Sequence, residues 1–144
     1  MRAQHGERGS ALIEFALAST VALTMIFGII DLGRAVYTYH LVADVARSGS
    51  RYAMVRGSSC SAGGCPATAS QIQTYVRGLA PAVDPSSLTV TTTWSTASGC
   101  TDPAFQGPGC IVTVQVSYPF RFLVALMPSF TMTMVSTSKM VIAQ

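Results

Sequence analysis

The chain has 144 residues, 49% of them hydrophobic and 10% charged, and its formal net charge is +3. This length fits one domain and an anchor, because a single hydrophobic core usually takes about 100 to 200 residues, and it excludes two enzymatic domains. The charged fraction is far below the roughly 25% of soluble domains, so we expect part of the chain to lie in lipid. The positive charges form no run, which excludes the basic surface of a nucleic-acid-binding protein.

The first predicted element is an apolar helix near the N-terminus. Between Ser10 and Ile30 the one charged residue is Glu14. As a helix that rises about 1.5 Å per residue, this stretch is roughly 31 Å long, which matches a bilayer core of about 30 Å. We therefore predict a transmembrane helix at residues 10–32.

The charges at the two ends of this helix bear on its orientation. Residues 1–9 form a polar leader that contains Arg2 and Arg8, and Arg34 lies just beyond the other end of the helix. Arginine near a span favours the cytoplasmic side, so the leader is predicted to be cytoplasmic, although Arg34 weakens the contrast.

A cleaved secretory signal peptide is the alternative explanation of this segment. Its apolar region is usually about 7 to 15 residues long and precedes a small-residue cleavage site. Here the apolar stretch is longer, and the sequence Ala16-Leu17-Ala18 lies inside it. The segment therefore fits a membrane anchor better than a removable signal.

The helix is predicted to continue beyond the membrane through residues 33–57. One face repeats about every 3.5 positions, which indicates packing on a domain. That face comprises Leu41, Val45, Ser48, Tyr52 and Val55. A helix from Ser10 to Val55 would be roughly 69 Å long, and Gly57 follows its end.

Residues 58–144 are predicted to form a small extracytoplasmic domain that begins with a second helix. Thr68 and Gln71 have the spacing of a capping box, and Gly78 and Pro81 end the helix. Its apolar face comprises Ile72, Tyr75, Val76 and Leu79.

Three strands are predicted next, because apolar and polar residues alternate. The first two cover Leu88 to Trp94 and Val112 to Tyr118. The third covers Thr131 to Ile142, where the alternation slips between Met134 and Val141 and predicts a bulge or a strand end.

The segment from Pro119 to Pro128 is too short to cross a bilayer and is predicted to be a crossover packed on the core. The fold class is therefore α+β: a long N-terminal transmembrane helix that continues into a domain with a short helix and a three-stranded antiparallel sheet.

The residues at the membrane entry carry the most specific signal. Gly9 ends the leader, the small residues Ser10 and Ala11 follow, and Glu14 is an acid inside the apolar segment. A prepilin peptidase cleaves after such a glycine, where a small residue lets the backbone enter the active site. Cleavage there would make Ser10 the first residue of the mature chain.

Glu14 has two open explanations. A carboxylate at the bilayer centre costs up to about 2.5 to 3.5 kcal/mol and is by default a functional candidate. In a filament, the α-amino group of Ser10 in one subunit can pair with Glu14 of a neighbour, which offsets desolvation and sets the axial register. Alternatively, Glu14 reaches the headgroups from the first turn, where it also suits the helix dipole.

Three blocks, RGSALIEFAL, GIIDLGRAVY and ARSGSRYA, follow one another in this order up to Ala53. Together they resemble the TadE-like pilin family. The resemblance implies cleavage between Gly9 and Ser10 by a prepilin peptidase, with Glu14 as the assembly acid. It also implies a minor-pilin or pseudopilin role in a tight-adherence (Flp, type IVc) pilus. One departure is Thr20, where the family usually has proline. Without this proline, the resemblance does not imply the family's kink in this helix.

A strip of small side chains recurs every fourth residue along the predicted membrane helix. It comprises Ala16, Thr20, Thr24 and Gly28. Such strips let helices approach closely in lipid, so this is a candidate helix-packing face.

The four cysteines lie in loop-rich sequence, and their even number indicates an oxidising compartment. Their spacings do not match a zinc ribbon, so no metal site is predicted. Pairing of nearest neighbours would join Cys60 to Cys65 and Cys100 to Cys110. Three connectivities remain open on sequence alone.

No nucleophile elbow, zinc-protease motif or phosphate-binding loop occurs, so we predict no enzyme, no cofactor and no small-molecule substrate. The predicted partners are the membrane, a prepilin peptidase and other pilin and pilus-assembly subunits, and nucleic acid is not among them. The predicted location is the bacterial inner membrane, with a surface pilus as a further destination. The alternative function is an exported, disulfide-bonded adhesive or binding domain whose N-terminal segment serves only for targeting.

Overall fold

A computed structural model describes residues 6–95, 99–100, 106–123 and 131–143. The architecture is α+β, as predicted: a long helix α1 (Gly6–Met54), a short helix α2 (Ala69–Gly78) and three strands, β1 (Thr89–Trp94), β2 (Ile111–Arg121) and β3 (Thr131–Val141). The strands form an antiparallel sheet in the order β1-β2-β3.

Helix α1 is unbroken over 49 residues and joins the apolar segment to the domain. It ends at Met54, next to the predicted end at Val55. Its last turn is fixed to the far end of the sheet, because the backbone N–H of Ala143 donates to the carbonyl oxygen of Met54 at 3.1 Å.

Helix α2 begins with the predicted capping box. The Thr68 hydroxyl accepts from the backbone N–H of Gln71, and the Gln71 side chain accepts in return from the backbone N–H of Thr68. These bonds satisfy two N–H groups that a helix start leaves free. Of the predicted apolar face, Ile72 and Val76 are fully buried, whereas Tyr75 and Leu79 are 38% and 40% exposed.

Strands β1 and β2 have the predicted alternation. The inward side of β2 carries Val112, Val114 and Val116, which are completely buried, and its polar neighbours lie on the other side. This face packs under both helices and forms the centre of the hydrophobic core.

The predicted bulge in β3 is absent. Pairing with β2 is continuous from Ile111 opposite Val141 to Arg121 opposite Thr131. The apparent slip arose because Ser136 and Ser138 lie on the inner side of β3, while Val141 lies on the outer side and is 56% exposed. Small polar residues are favoured at these inner positions because α1 passes close to them, as the hydrogen bond between the Ser50 and Ser138 hydroxyls shows.

The predicted crossover between the second and third strands is also wrong in its first part. Pro119, Phe120 and Arg121 belong to β2 and pair with β3. Phe120 is buried and continues the inner side of the strand. Residues 124–128 of the predicted crossover lie outside the described residues.

The buried stripe of α1 is displaced from the predicted one. The residues of α1 that are buried against the domain are Asp31, Thr38, Val42, Val45, Ala46, Gly49, Ser50 and Ala53. Of the predicted stripe, Val45 is buried, Leu41 and Tyr52 pack at its margin, and Val55 is 43% exposed. The sequence prediction followed the large aliphatic residues, whereas small residues face the domain and let the helix approach it.

Gly49 marks a close approach between α1 and the domain. A Cβ atom at this position would lie 2.6 Å from Val76 Cγ2 on α2 and 3.3 Å from Val114 Cγ1 on β2. The first distance is shorter than van der Waals contact, so the absence of a side chain at Gly49 sets the spacing of three elements.

Candidate functional site: the apolar helix and its exit

The predicted cleavage residues lie near the start of α1. Gly9 and Ser10 are both helical and exposed, and a Cβ at Gly9 would meet nothing within 4 Å. The peptide bond between them is therefore free of contact with the domain.

Glu14 is exposed on α1, more than one turn beyond Ser10. It makes no hydrogen bond or ion pair with any residue that the structure describes. Within a lipid environment, a carboxylate in this position requires a partner from another molecule or access to the headgroups. The position of Glu14 is therefore compatible with pairing to a neighbouring subunit and with contact with the headgroups.

The small-residue strip lies on the surface of α1. Ala16, Thr20, Thr24 and Gly28 are all exposed, and a Cβ at Gly28 would meet nothing within 4 Å. The hydroxyls of Thr20 and Thr24 each donate to the carbonyl four residues earlier, at 2.8 Å in both cases. Because these hydroxyls are satisfied within the helix, the strip can face lipid or another helix without an unpaired polar group.

The surface of the apolar segment is uncovered. Phe15, Ile29 and Leu32 are 72%, 70% and 64% exposed, and no part of the most apolar stretch of α1 is buried against the domain. In the part of the chain that the structure describes, α1 is the one helix long and apolar enough to cross a membrane. Burial of a large apolar side chain is worth about 1.5 to 3 kcal/mol, so such a surface needs lipid or another subunit around it.

A polar contact that the sequence did not predict lies at the C-terminal end of the apolar segment. Asp31 is only 3% exposed, and its Oδ2 accepts from the backbone N–H of Leu123 at 2.8 Å. Its Oδ1 accepts from Arg34 Nη1, also at 2.8 Å. The Arg34 guanidinium in turn lies 5.4 Å from the ring centroid of Phe120. The end of β2 is thereby fixed to the helix just beyond the apolar run.

The sequence signal for this contact was incomplete. The pairing of Asp31 with Arg34 is visible as an i,i+3 spacing, but the contact with Leu123 joins positions 92 residues apart. Asp44 and Arg47 have the same i,i+3 spacing, but Arg47 Nε donates to the carbonyl oxygen of Ala43 at 3.2 Å.

The exposed face of α1 next to the apolar segment borders a groove of about 560 Å³ beside β3. Its helix side carries Leu32, Val36 and Tyr39, and its sheet side carries Met132 and Val135. These five side chains are between 47% and 64% exposed. An apolar surface therefore continues from the membrane segment onto the domain.

The cysteines pair as nearest neighbours. Cys60 is bonded to Cys65 and Cys100 to Cys110, and the Cα atoms lie 5.8 and 5.6 Å apart. The second bridge joins the loop after β1 to Cys110, which is buried beside the start of β2. Both bridges lie in the domain and away from the apolar segment. Among the described residues, no three His, Cys, Asp or Glu side chains are close enough to hold a metal ion.

Among the described residues, one uncovered apolar helix leads into a small disulfide-bonded α+β domain. This arrangement fits a single-pass membrane protein. In comparison with known families, residues 9–51 match the model of the family described as TadE-like protein. The resemblance to the TadE-like pilins is thus confirmed over α1, and it indicates a protein associated with the tight-adherence pilus system. No curated protein and no solved structure matches the chain.

Proposed function

We propose that the protein is a membrane-anchored minor pilin or pseudopilin that acts in the assembly of a tight-adherence pilus, and that it is not an enzyme. The observation that carries this proposal is that the family match, residues 9–51, includes the uncovered apolar segment of α1. The first part of the match would contact lipid and neighbouring subunits, whereas the part from Thr38 onward includes the side chains that pack on the domain.

The proposed topology places the leader in the cytoplasm and the domain outside the inner membrane. The two disulfides support an oxidising environment for the domain. Arg2 and Arg8 support a cytoplasmic leader. The proposed boundaries are a leader at 1–9, a transmembrane helix at 10–32, a helix extension at 33–57 and the domain at 58–144.

Processing by a prepilin peptidase is the first step of the proposed mechanism. The exposed bond between Gly9 and Ser10 would be cut on the cytoplasmic side, which leaves a free α-amino group at Ser10. In its protonated form that amine carries a positive charge. It is therefore a suitable partner for the Glu14 carboxylate of a neighbouring subunit.

Assembly is the second step. The pairing of Ser10 with Glu14 would offset the desolvation of both groups and set the axial register between subunits. Helix contacts through the strip at Ala16, Thr20, Thr24 and Gly28 would then bring neighbouring membrane helices close together. Beyond the membrane, the groove beside Val36 and Tyr39 provides apolar area for further subunit contact.

N-terminal mapping of the mature protein, purified from cells with the pilus system, tests this proposal. A start at Ser10 supports the pilin, whereas a start near Asp31 or beyond supports an exported binding domain whose N-terminal segment was only a signal. Gly9→Val should retain the leader, because the larger side chain would not fit the peptidase. Gly6→Val, a change of another leader glycine, is the matched control and should be processed normally.

A further inference from the structure

The end of β2 lies at the level where the predicted membrane segment ends. The backbone N–H of Leu123 donates to Asp31 Oδ2 at 2.8 Å, and Asp31 directly follows Ile30, the last residue of the apolar run. We call residues 121–123 the β2 exit. Because a hydrogen bond of this length permits no gap, the β2 exit lies beside the last turn of the predicted span.

The axial positions of helix and strand agree with this placement. At the other end of the contact, a Cβ on Gly49 would lie 3.3 Å from Val114 on β2. From Asp31 to Gly49 the helix rises about 27 Å at about 1.5 Å per residue. From Leu123 to Val114 an extended strand covers about 30 Å at about 3.3 Å per residue. Strand β2 therefore follows the helix down to the membrane instead of lifting away from it.

The β2 exit presents apolar side chains at this level. Leu123 is 71% exposed and Leu32, one residue beyond Asp31 on the helix, is 64% exposed. Phe122 is half-buried and makes an edge contact with Phe120 at 5.1 Å between ring centroids. Removal of a leucine side chain from water is worth about 1.5 to 3 kcal/mol, so this surface is suited to an apolar environment.

The charges around the β2 exit balance one another. Arg34 is paired with Asp31, and Arg34, Arg121 and Asp84 line one cleft of about 410 Å³. Hydrogen bonds from the side chain and the backbone N–H of Ser86, and from the Ser87 hydroxyl, hold the pKa of Asp84 below its ordinary value, so this carboxylate is ionised near neutral pH. Two positive and two negative groups give no preference for an anionic headgroup.

We propose that the β2 exit is a second membrane contact, in which Leu123 and Leu32 enter the boundary between headgroups and acyl chains of the bilayer that α1 crosses. This inference rests on the proposed single-pass anchor. The contact holds the domain at a fixed height and tilt, because α1 and β2 meet the bilayer at two points. A subunit that enters a filament must then release the β2 exit from lipid as well as withdraw α1.

Quenching of tryptophan fluorescence by lipid tests the contact. The single native tryptophan is first removed by Trp94→Phe, and Leu123→Trp then places an indole at the β2 exit. The full chain is reconstituted in vesicles of phosphatidylcholine with brominated acyl chains. Leu23→Trp reports on the anchor, and Val141→Trp is the matched control, because Val141 is 56% exposed at the opposite end of β3.

The contact predicts that the tryptophan at position 123 loses most of its fluorescence, as does that at position 23, while that at position 141 is unaffected. The result should be the same when phosphatidylglycerol is mixed into the vesicles. Quenching at position 23 without quenching at position 123 would overturn the second contact and leave the anchor intact. Quenching at neither position would overturn both, and equal quenching at 123 and 141 would show that the domain lies flat on the bilayer instead.

Discussion

The hydroxyl oxygens of Ser50 on α1 and Ser138 on β3 lie 2.8 Å apart, at a helix-sheet contact where Ser50 is completely buried. Ser50 donates its proton to the carbonyl oxygen of Arg47 at 2.9 Å. Since a hydroxyl carries one proton, Ser138 must be the donor in the bond to Ser50. The two serines thus connect the helix extension to the edge strand.

This bond predicts a measurable coupling between the two residues. Ser50→Ala should lower the free energy of unfolding by about 1 to 2 kcal/mol, and Ser138→Ala by about 0.5 to 1 kcal/mol, because Ser50 keeps its bond to Arg47 in the second variant. Denaturant unfolding of both single variants and the double variant in detergent gives the coupling energy. Effects that add within about 0.3 kcal/mol would contradict the bond.

The same serines show where the sequence is informative and where it is not. Long apolar runs, the capping box at Thr68 and strict alternation in β2 depend on near neighbours in the chain, and they predicted α1, α2 and β2 well. The inward position of Ser136 and Ser138 depends on how closely α1 approaches β3. That distance is set by packing between distant segments, so alternation alone misplaced the inner side of β3.

The residues of the candidate site also differ in whether the sequence could predict them. Gly9, Ser10 and Glu14 could be chosen because their signal is a local motif, and the family match covers them. The buried bond from Leu123 to Asp31 could not, because an aspartate with an arginine three residues later is a common pair on exposed helices. Burial of such a carboxylate follows only from the position of β2.

Gly49 should tolerate no side chain. Gly49→Ala places a Cβ 2.6 Å from Val76 Cγ2, so α1 or α2 must shift, and we expect a loss of about 1 to 3 kcal/mol in unfolding free energy. Gly33→Ala is the matched control, because a Cβ there meets nothing within 4 Å. The control should be neutral or stabilising by up to about 1 kcal/mol, since alanine is the better helix former. Equal midpoints for Gly49→Ala and the parent protein would refute the close approach.

The Asp31 carboxylate should protect the Leu123 amide from hydrogen exchange. Asp31→Leu removes the acceptor and should speed exchange at Leu123 roughly tenfold or more, given about 1.5 to 3 kcal/mol for a hydrogen bond to a charged group. Asp31→Asn retains an acceptor oxygen and should give a smaller change. Exchange measured by mass spectrometry on the full chain in detergent checks this, and an unchanged Leu123 amide in Asp31→Leu would exclude the bond.

The cysteines should be fully oxidised in protein from the cell envelope. Mass mapping without reductant should recover peptides that join Cys60 to Cys65 and Cys100 to Cys110. Replacement of Cys100 and Cys110 together by serine should lower the unfolding free energy by about 2 to 3 kcal/mol in the loop-entropy model. Four alkylated thiols in freshly isolated protein would argue against an extracytoplasmic domain.

In the proposed assembly, Glu14 joins subunits through the Ser10 amine of a neighbour. The direct measurement is the share of the protein in the sheared surface fraction, relative to the membrane fraction, for the parent chain and for Glu14→Leu, with the N-terminus sequenced in each. Pairing predicts that Glu14→Leu is cleaved to start at Ser10 but is lost from the sheared fraction, while Glu14→Asp, one methylene shorter, is lost only in part. A Glu14→Leu protein that is correctly cleaved and reaches the surface at the parent level would contradict the pairing.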